Sequence, residues 1–258
     1  MNNLMYFLIK KILFLSVILC VTYTSFAYSQ PKTDITLALF HSPPHAIVEE
    51  NQIPKALLLD ILQAIAPQLN IKISPIACPL PRCLNLLAQG KVDMIGHILK
   101  TPEREKYLYF IEPAYLAFQS NFSFYTLSEH PIDIRTFDDL KGYKIVTTRG
   151  GSYYPLFDNS TELIKIPVLD ELKGFNMLLN KRVDLVIGIE KSFQQTLRHL
   201  NIPADRFKKV SYQHSDTIYG YMAFSKQYTN PQLLMQIEQQ LKSLQSNGVL
   251  EQLLANYQ

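Results

Sequence analysis

Three cysteines, nine glycines and fifteen prolines in 258 residues leave little room for several classes of protein. So few cysteines exclude a disulfide-dense scaffold, and so little glycine and proline excludes a collagen-like fibre or a disordered polymer. Charge of one sign is equally scarce. A formal net charge of +3, from 25 basic and 22 acidic residues spread evenly, is too small and too diffuse for a nucleic-acid surface. Apolar residues make up 47% of the chain but form no succession of long runs, which excludes a polytopic membrane protein. Also missing are a Ser/His/Asp order, a nucleophile motif and paired carboxylates that would compel an enzymatic reading. What remains is a globular chain long enough for one large domain or two lobes.

The N-terminal residues differ from the rest. Lys10 and Lys11 precede the apolar run Ile12 to Val21, and Ser25, Ala27 and Ser29 follow it. About ten apolar residues are too few to span a bilayer but suit the core of a secretory signal. Residues 1–29 are therefore expected to be a cleavable signal peptide, with an uncleaved anchor as the alternative, and the mature chain to be periplasmic. Cys20 follows Leu19, where a lipoprotein peptidase needs a small side chain. In an oxidising compartment Cys78 and Cys83, the ends of Cys-Pro-Leu-Pro-Arg-Cys, are expected to form a structural disulfide closing a short turn. A metal site there would need two further ligands.

Strands and helices alternate through short loops, the pattern of an α/β architecture. Ile35 to Phe40 reads as a buried strand ending in His41-Ser42-Pro43-Pro44. Lys55 to Leu69 carries the apolar stripe of a helix, Ile71 to Ile76 returns as a strand, and Leu84 to Gln89 is helical up to Gly90. Thr101-Pro102-Glu103 is a helix start: a capping hydroxyl, proline in the first turn, then an acid at the positive end of the dipole. An internal echo runs through the chain. Asn85-Leu86-Leu87 with Lys91-Val92-Asp93 is matched at constant offset by Asn176-Met177-Leu178 with Arg182-Val183-Asp184, each predicting a helix, a polar turn and a strand. Lys144 to Thr147 is read as a strand leading through Arg149-Gly150-Gly151-Ser152 into a helix beginning near Tyr153, a turn whose free N–H groups could receive an anion. Ser120 to Tyr125 and Gln213 to Phe224 are read as strands crossing between two lobes, and Pro231 to Tyr257 as a helical tail.

The run Leu84 to Asp93, then Thr101-Pro102-Glu103-Arg104-Glu105, then Phe110-Ile111-Glu112-Pro113-Ala114-Tyr115, resembles the hallmark run of the extracellular solute-binding proteins of family 3, periplasmic receptors of polar amino acid transporters. Asp139 to Ile145 followed by Arg149 to Tyr153 resembles the opening of that family's second lobe, and Leu244 to Tyr257 its C-terminal helix pair. The resemblance implies a type II two-lobed clamshell, each lobe a mixed sheet flanked by helices, closing about a two-strand hinge. It places the first lobe in residues 30–119 and 220–258, and the second, with the hinge strands, in 120–219. By the same resemblance the protein captures a small ligand between the lobes for an inner-membrane permease or sensor, as a monomer without cofactor or nucleic-acid partner.

Family members hold a ligand carboxylate with the arginine of the Thr-x-x-Arg motif, which falls on Arg104 behind Thr101. A guanidinium suits that role because it makes two parallel hydrogen bonds and does not deprotonate. Ser152 and the N–H groups around Gly151 match the second lobe's contribution. Other family positions carry unfamiliar residues: Leu99 and His97 stand where small hydroxyls are common, and Ile189 where an acid receives the ligand's ammonium. Glu190 is adjacent but would face the other side of a regular strand. An anionic ligand lacking that ammonium is therefore expected. Ser42 and Phe40 end the first strand, where open α/β sheets place ligands. Arg82 and Arg149 are further candidates, each otherwise a solvated loop charge. His41, His45 and His97 would make a transition-metal site only if their loop folded inward, whereas separated histidines are more often satisfied singly. Two other readings stay open: an enzyme resembling cyclohexadienyl dehydratase, with Glu190 or His97 as general acid, and a degenerate module that binds a protein or nothing small.

Overall fold

The structure, a computed structural model, describes residues 33–49 and 52–257. The expected signal peptide and Cys20 lie outside the described residues. Among the described residues no helix is long and apolar enough to cross a membrane.

One mixed sheet runs through the molecule, and its order explains where the site lies. Its first half is built on β1 (Asp34–Leu39), flanked in parallel by β4 (Lys72–Ala77) and β5 (Met94–Ile98). Two two-residue strands, β2 (Ala46–Ile47) and β3 (Lys55–Ala56), pair separately. The second half is built on β8 (Lys144–Thr148), flanked in parallel by β9 (Ile164–Val168) and β10 (Leu185–Ile189). Two long strands join the halves. β7 (Leu116–Leu127) pairs antiparallel with β10, and β11 (Phe207–Ser225) pairs antiparallel with β7 from Phe207↔Leu127 to Gly220↔Leu116. Beyond Gly220, β11 continues into the first half, where it pairs with β5 and with β6 (Leu108–Phe110). Among the described residues only these two strands cross, which is the two-strand hinge of a clamshell.

The central strands β1, β5, β8 and β10 are largely buried and read as near-continuous apolar runs, whereas the edge strands β4 and β9 are mostly exposed or half-buried. In the first half, α1 (Leu57–Leu69), α7 (Pro231–Ser246) and α8 (Val249–Ala255) cover one face through Leu58, Ile61, Leu62, Ile237 and Leu241. Helix α2 (Leu80–Ala88) covers the other face through Cys83 and Leu87. In the second half, α4 (Pro155–Asn159) packs Phe157 on one face. Helices α5 (Glu171–Leu179) and α6 (Glu190–His199) pack Phe175 and Phe193 on the other. The short α3 (Pro102–Glu105) starts where the sequence places it: the Thr101 hydroxyl accepts a hydrogen bond from the Arg104 N–H at 3.3 Å.

Three helix starts differ from expectation. Lys55 and Ala56 are extended, paired with Ile47 and Ala46, so α1 begins at Leu57. Helix α2 begins at Leu80, inside the Cys-Pro-Leu-Pro-Arg-Cys stretch read as a loop, because proline fits a first helical turn whose N–H groups lack intrahelical partners. The Cys78–Cys83 disulfide is present and pins that turn to the end of β4. The helix after Gly151 begins at Pro155 rather than near Tyr153.

Candidate functional site

Where the halves face each other there is a cavity of about 700 Å³, within the roughly 300–1,000 Å³ common for small-ligand pockets. The first half contributes Phe40, Ser42, His97, Leu99 and Arg104. The second contributes Gly151, Ser152, Tyr153, Glu171 and Ile189. The wall is largely apolar, with Leu116, Phe118, Leu172, Ile218 and Tyr219 among its members.

Arg104 is the buried cation of this cavity, with 6% of its surface exposed. Capping by Thr101 fixes the turn that carries it. One terminal nitrogen donates to the Leu99 carbonyl at 2.6 Å and the other to the Gly150 carbonyl at 2.9 Å. Leu99 belongs to the first half and Gly150 to the second, so the guanidinium ties the two walls together. Burial pulls its pKa down, with Tyr107 and Asp158 opposing, but an arginine remains charged at any physiological pH. Among the described residues none pairs a carboxylate with it.

Around Gly151 part of the backbone is already engaged. The Gly151 N–H donates to the Thr148 carbonyl at 2.9 Å, and the Tyr153 N–H to the Asp158 carboxylate at 2.9 Å. The Ser152 hydroxyl donates to the same carboxylate at 2.8 Å. The Tyr153 hydroxyl accepts from the Thr148 N–H at 2.8 Å, holding the ring in the cavity wall.

His97 reaches the cavity through a break in the ladder. Ile98 pairs with Tyr221 and Ile95 with Ala223, so Gly96 and His97 oppose a single residue of β11. Such a bulge re-aims a side chain, and His97 sits at φ 57° in the left-handed region. Its ring lies 4.7 Å from that of His45, centroid to centroid. Burial lowers His97 to a pKa of about 3, helped by His45, and lowers His45 to about 4, so both are neutral at pH 7. His41 also lines the cavity, its Nδ1 accepting from the Val48 N–H at 3.2 Å. Among the described residues no group of three or more metal-ligating side chains gathers.

Other expected residues lie elsewhere. Glu190 does not line the cavity: it opens α6 and its carboxylate accepts from Asn121 at 2.7 Å and Lys209 at 2.5 Å. These bonds, Asn121 first, hold its pKa below the usual carboxylate range. Arg82 and Arg149 are exposed and outside the wall. Thr101 serves through its cap rather than its surface.

Residues 35–258 match the sequence profile of the bacterial extracellular solute-binding proteins, family 3. The chain belongs to this family. No curated protein matches its sequence. Solved structures match it over nearly their whole length: the substrate-binding protein of an amino acid ABC transporter at 21% identity and a TM-score of 0.70, covering 87% of this chain and 98% of that one. An ancestral arginine-binding protein bound to arginine gives 20% and 0.73, with 88% and 99% covered. A Salmonella typhimurium periplasmic binding protein of high arginine specificity gives 18% and 0.72, with the same coverage. These likenesses establish the type II clamshell fold.

In this family member Glu171 is among the polar cavity residues that escaped the sequence reading. Glu171 lies just past the end of β9, at the carboxyl end of a strand where α/β folds gather ligands, and that placement was the available signal. Glu171 is an exposed residue of the cavity wall, and desolvation pushes its carboxyl pKa up.

Proposed function

We propose that this solute-binding protein works in the periplasm, capturing a small carboxylate-bearing or amino-acid-like ligand between its lobes for an ABC transporter or sensor. The lobes run over residues 30–119 with 220–258, and over 120–219, and the protein acts as a monomer after loss of its signal peptide. One observation carries the reading: a buried guanidinium, Arg104, faces an open cavity and, among the described residues, is bonded only to neutral carbonyls. A buried cation without a counter-charge is costly, and an anionic ligand offsets that cost with charge-assisted hydrogen bonds. A ligand carboxylate would take over the contact that Arg104 makes with the Gly150 carbonyl of the other lobe.

The enzymatic alternative gains no support from the site. Glu190 lies outside the cavity, and His97 is neutral at pH 7 and holds no proton to give as an acid of ordinary strength. Nor is the cavity plugged by side chains, as a degenerate module would have it. Thermal-shift titration with polar and anionic metabolites tests the proposal: a ligand raises the melting temperature of the wild type, and Arg104→Gln removes the rise. No shift with any compound would overturn it.

A further inference from the structure

Of the aspartate, glutamate, lysine and arginine side chains in the cavity wall, only Arg104, from the first half, is buried. The others are acids in contact with water: Asp170 and Glu171 are exposed and Glu49 is half-buried. Asp170 accepts from the Lys173 N–H at 2.7 Å as the cap of α5, and Glu49 accepts from the Gln52 side chain at 2.5 Å. A hydrated carboxylate adds little to the binding of a cation, because water already solvates it and screens its charge. Among the described residues, then, the wall has a strong place for one negative charge and no comparable place for a positive one. Apolar side chains left in water gather in the same wall. Leu169, Leu172 and Tyr219 keep 41%, 44% and 46% of their surface exposed, and all three line this cavity. Leu169 and Leu172 stand at the start of α5 in the second half, and Tyr219 on β11 opposite Ala117.

Exposed apolar side chains collected in a concave wall mark a surface that something apolar covers. We infer that the ligand is an apolar monocarboxylate without an amino group, its anion on Arg104 and an aromatic or branched aliphatic body against Leu169, Leu172 and Tyr219. This rests on the binding function proposed above and narrows the class of the ligand. The first half holds the charge, and the second half with the hinge strand β11 covers the body. An ammonium on such a body would leave water for a wall that gives it no buried counter-charge, so an amino group weakens binding. A second carboxylate meets the same cost, since Arg104 is the wall's buried cation among the described residues.

Isothermal titration calorimetry of the full mature chain tests it with two matched sets. One is 3-phenylpropionate, phenylalanine and 3-phenylpropanamide; the other is 4-methylpentanoate, leucine and 4-methylpentanamide. Succinate serves as the polar acid. The acid of at least one set binds about 10-fold or more tightly than its amino acid, its amide and succinate. Leu172→Ala and Tyr219→Ala each weaken that acid about 3- to 10-fold, as loss of covered apolar surface should. Leu156→Ala, at an exposed leucine outside the wall, leaves it unchanged. Phenylalanine or leucine binding as tightly as its acid overturns the missing amino group and leaves the binding function standing. Succinate binding as tightly overturns the apolar body, and an amide binding as tightly overturns the anion. Unchanged affinity in both wall variants, or an equal loss in Leu156→Ala, overturns the placement of the body. Silence across these compounds overturns the inference outright, and silence extending to the metabolite library overturns the binding function with it.

Discussion

The turn after α2 and the turn after α5 make the same hydrogen bonds. Gly90 donates to Leu87 and Lys91 to Leu86 in the first; Lys181 donates to Leu178 and Arg182 to Met177 in the second. Gly90 and Lys181 both adopt positive φ, 65° and 54°. The aspartate that follows ties its strand to the neighbour in each case. Asp93 donates its N–H to the Thr36 carbonyl and accepts from the Thr36 N–H at 2.8 Å; Asp184 does so with Lys144, at 2.7 Å. Past this shared frame the copies part. β5 bulges and turns His97 into the cavity, whereas β10 stays regular, ends in Ile189 and passes at once into α6. A repeated turn thus sets where each strand enters its sheet, and the ligand site differs because the opposite strand ends are free to differ.

The strongest way to break the comparison is at the glycine of each strand. A Cβ on Gly96 would lie 2.1 Å from Leu58 Cδ2 and 3.1 Å from the Tyr115 hydroxyl, while one on Gly188 meets only Phe193 at 3.5 Å. Gly96→Ala is expected to cost about 3 kcal/mol, with Gly188→Ala below about 0.5 kcal/mol, by urea denaturation. Equal costs would show that the bulge region relaxes freely.

Removing the two aspartates separately is a milder test. Asp93 is 4% exposed and Asp184 half-buried. Asp93→Ala leaves a partly buried Thr36 N–H without its acceptor and should cost about 2 kcal/mol, against about 1 kcal/mol for Asp184→Ala, since the second bond is exposed to water. Denaturation midpoints with unchanged m-values would establish the order; the reverse order would remove burial as its cause.

The smallest effect is in pH, and it belongs to the first copy alone. The His45 and His97 imidazoles are held at about 4 and about 3, below their ordinary 6.5, by burial. The unfolded chain therefore takes up protons first, so this stability is whole above pH 6.5 and is lost as pH falls from there toward the folded values. Between pH 7 and pH 6 the loss is about 1 kcal/mol for the pair. A double variant, His45→Gln with His97→Gln, should flatten the slope in that interval; an unchanged slope would mean that the rings protonate as easily folded as unfolded.

Much of the frame was legible because its signals are local. Thr101-Pro102-Glu103 starts α3 by capping chemistry that three residues carry among themselves. The two cysteines of one short stretch needed only an oxidising environment. The repeated Lys/Arg-Val-Asp turn showed itself as a repeat, although the bond from each aspartate to a neighbouring strand did not. Boundaries failed where a tertiary partner decided them: Lys55 and Ala56 are extended because Ala46 and Ile47 lie beside them. Glu190 looked available beside Ile189, yet Asn121 and Lys209 from the two long strands take its carboxylate. Glu171 went unread because nothing around it in sequence says that α5 opens onto the same cavity as α3.

From the chain alone came the α/β alternation, the duplicated turn and the disulfide, properties of spacing and of residues acting within a turn or two, while the arginine motif came from the resemblance to the family. The pairing of Arg104 with a carbonyl of the other half, the turning of His97 by a bulge and the meeting of Glu171 with one cavity came only from folding. Each depends on which strand lies next to which and on how two halves joined by two strands face each other, and residues distant in sequence do not encode that distance in their order.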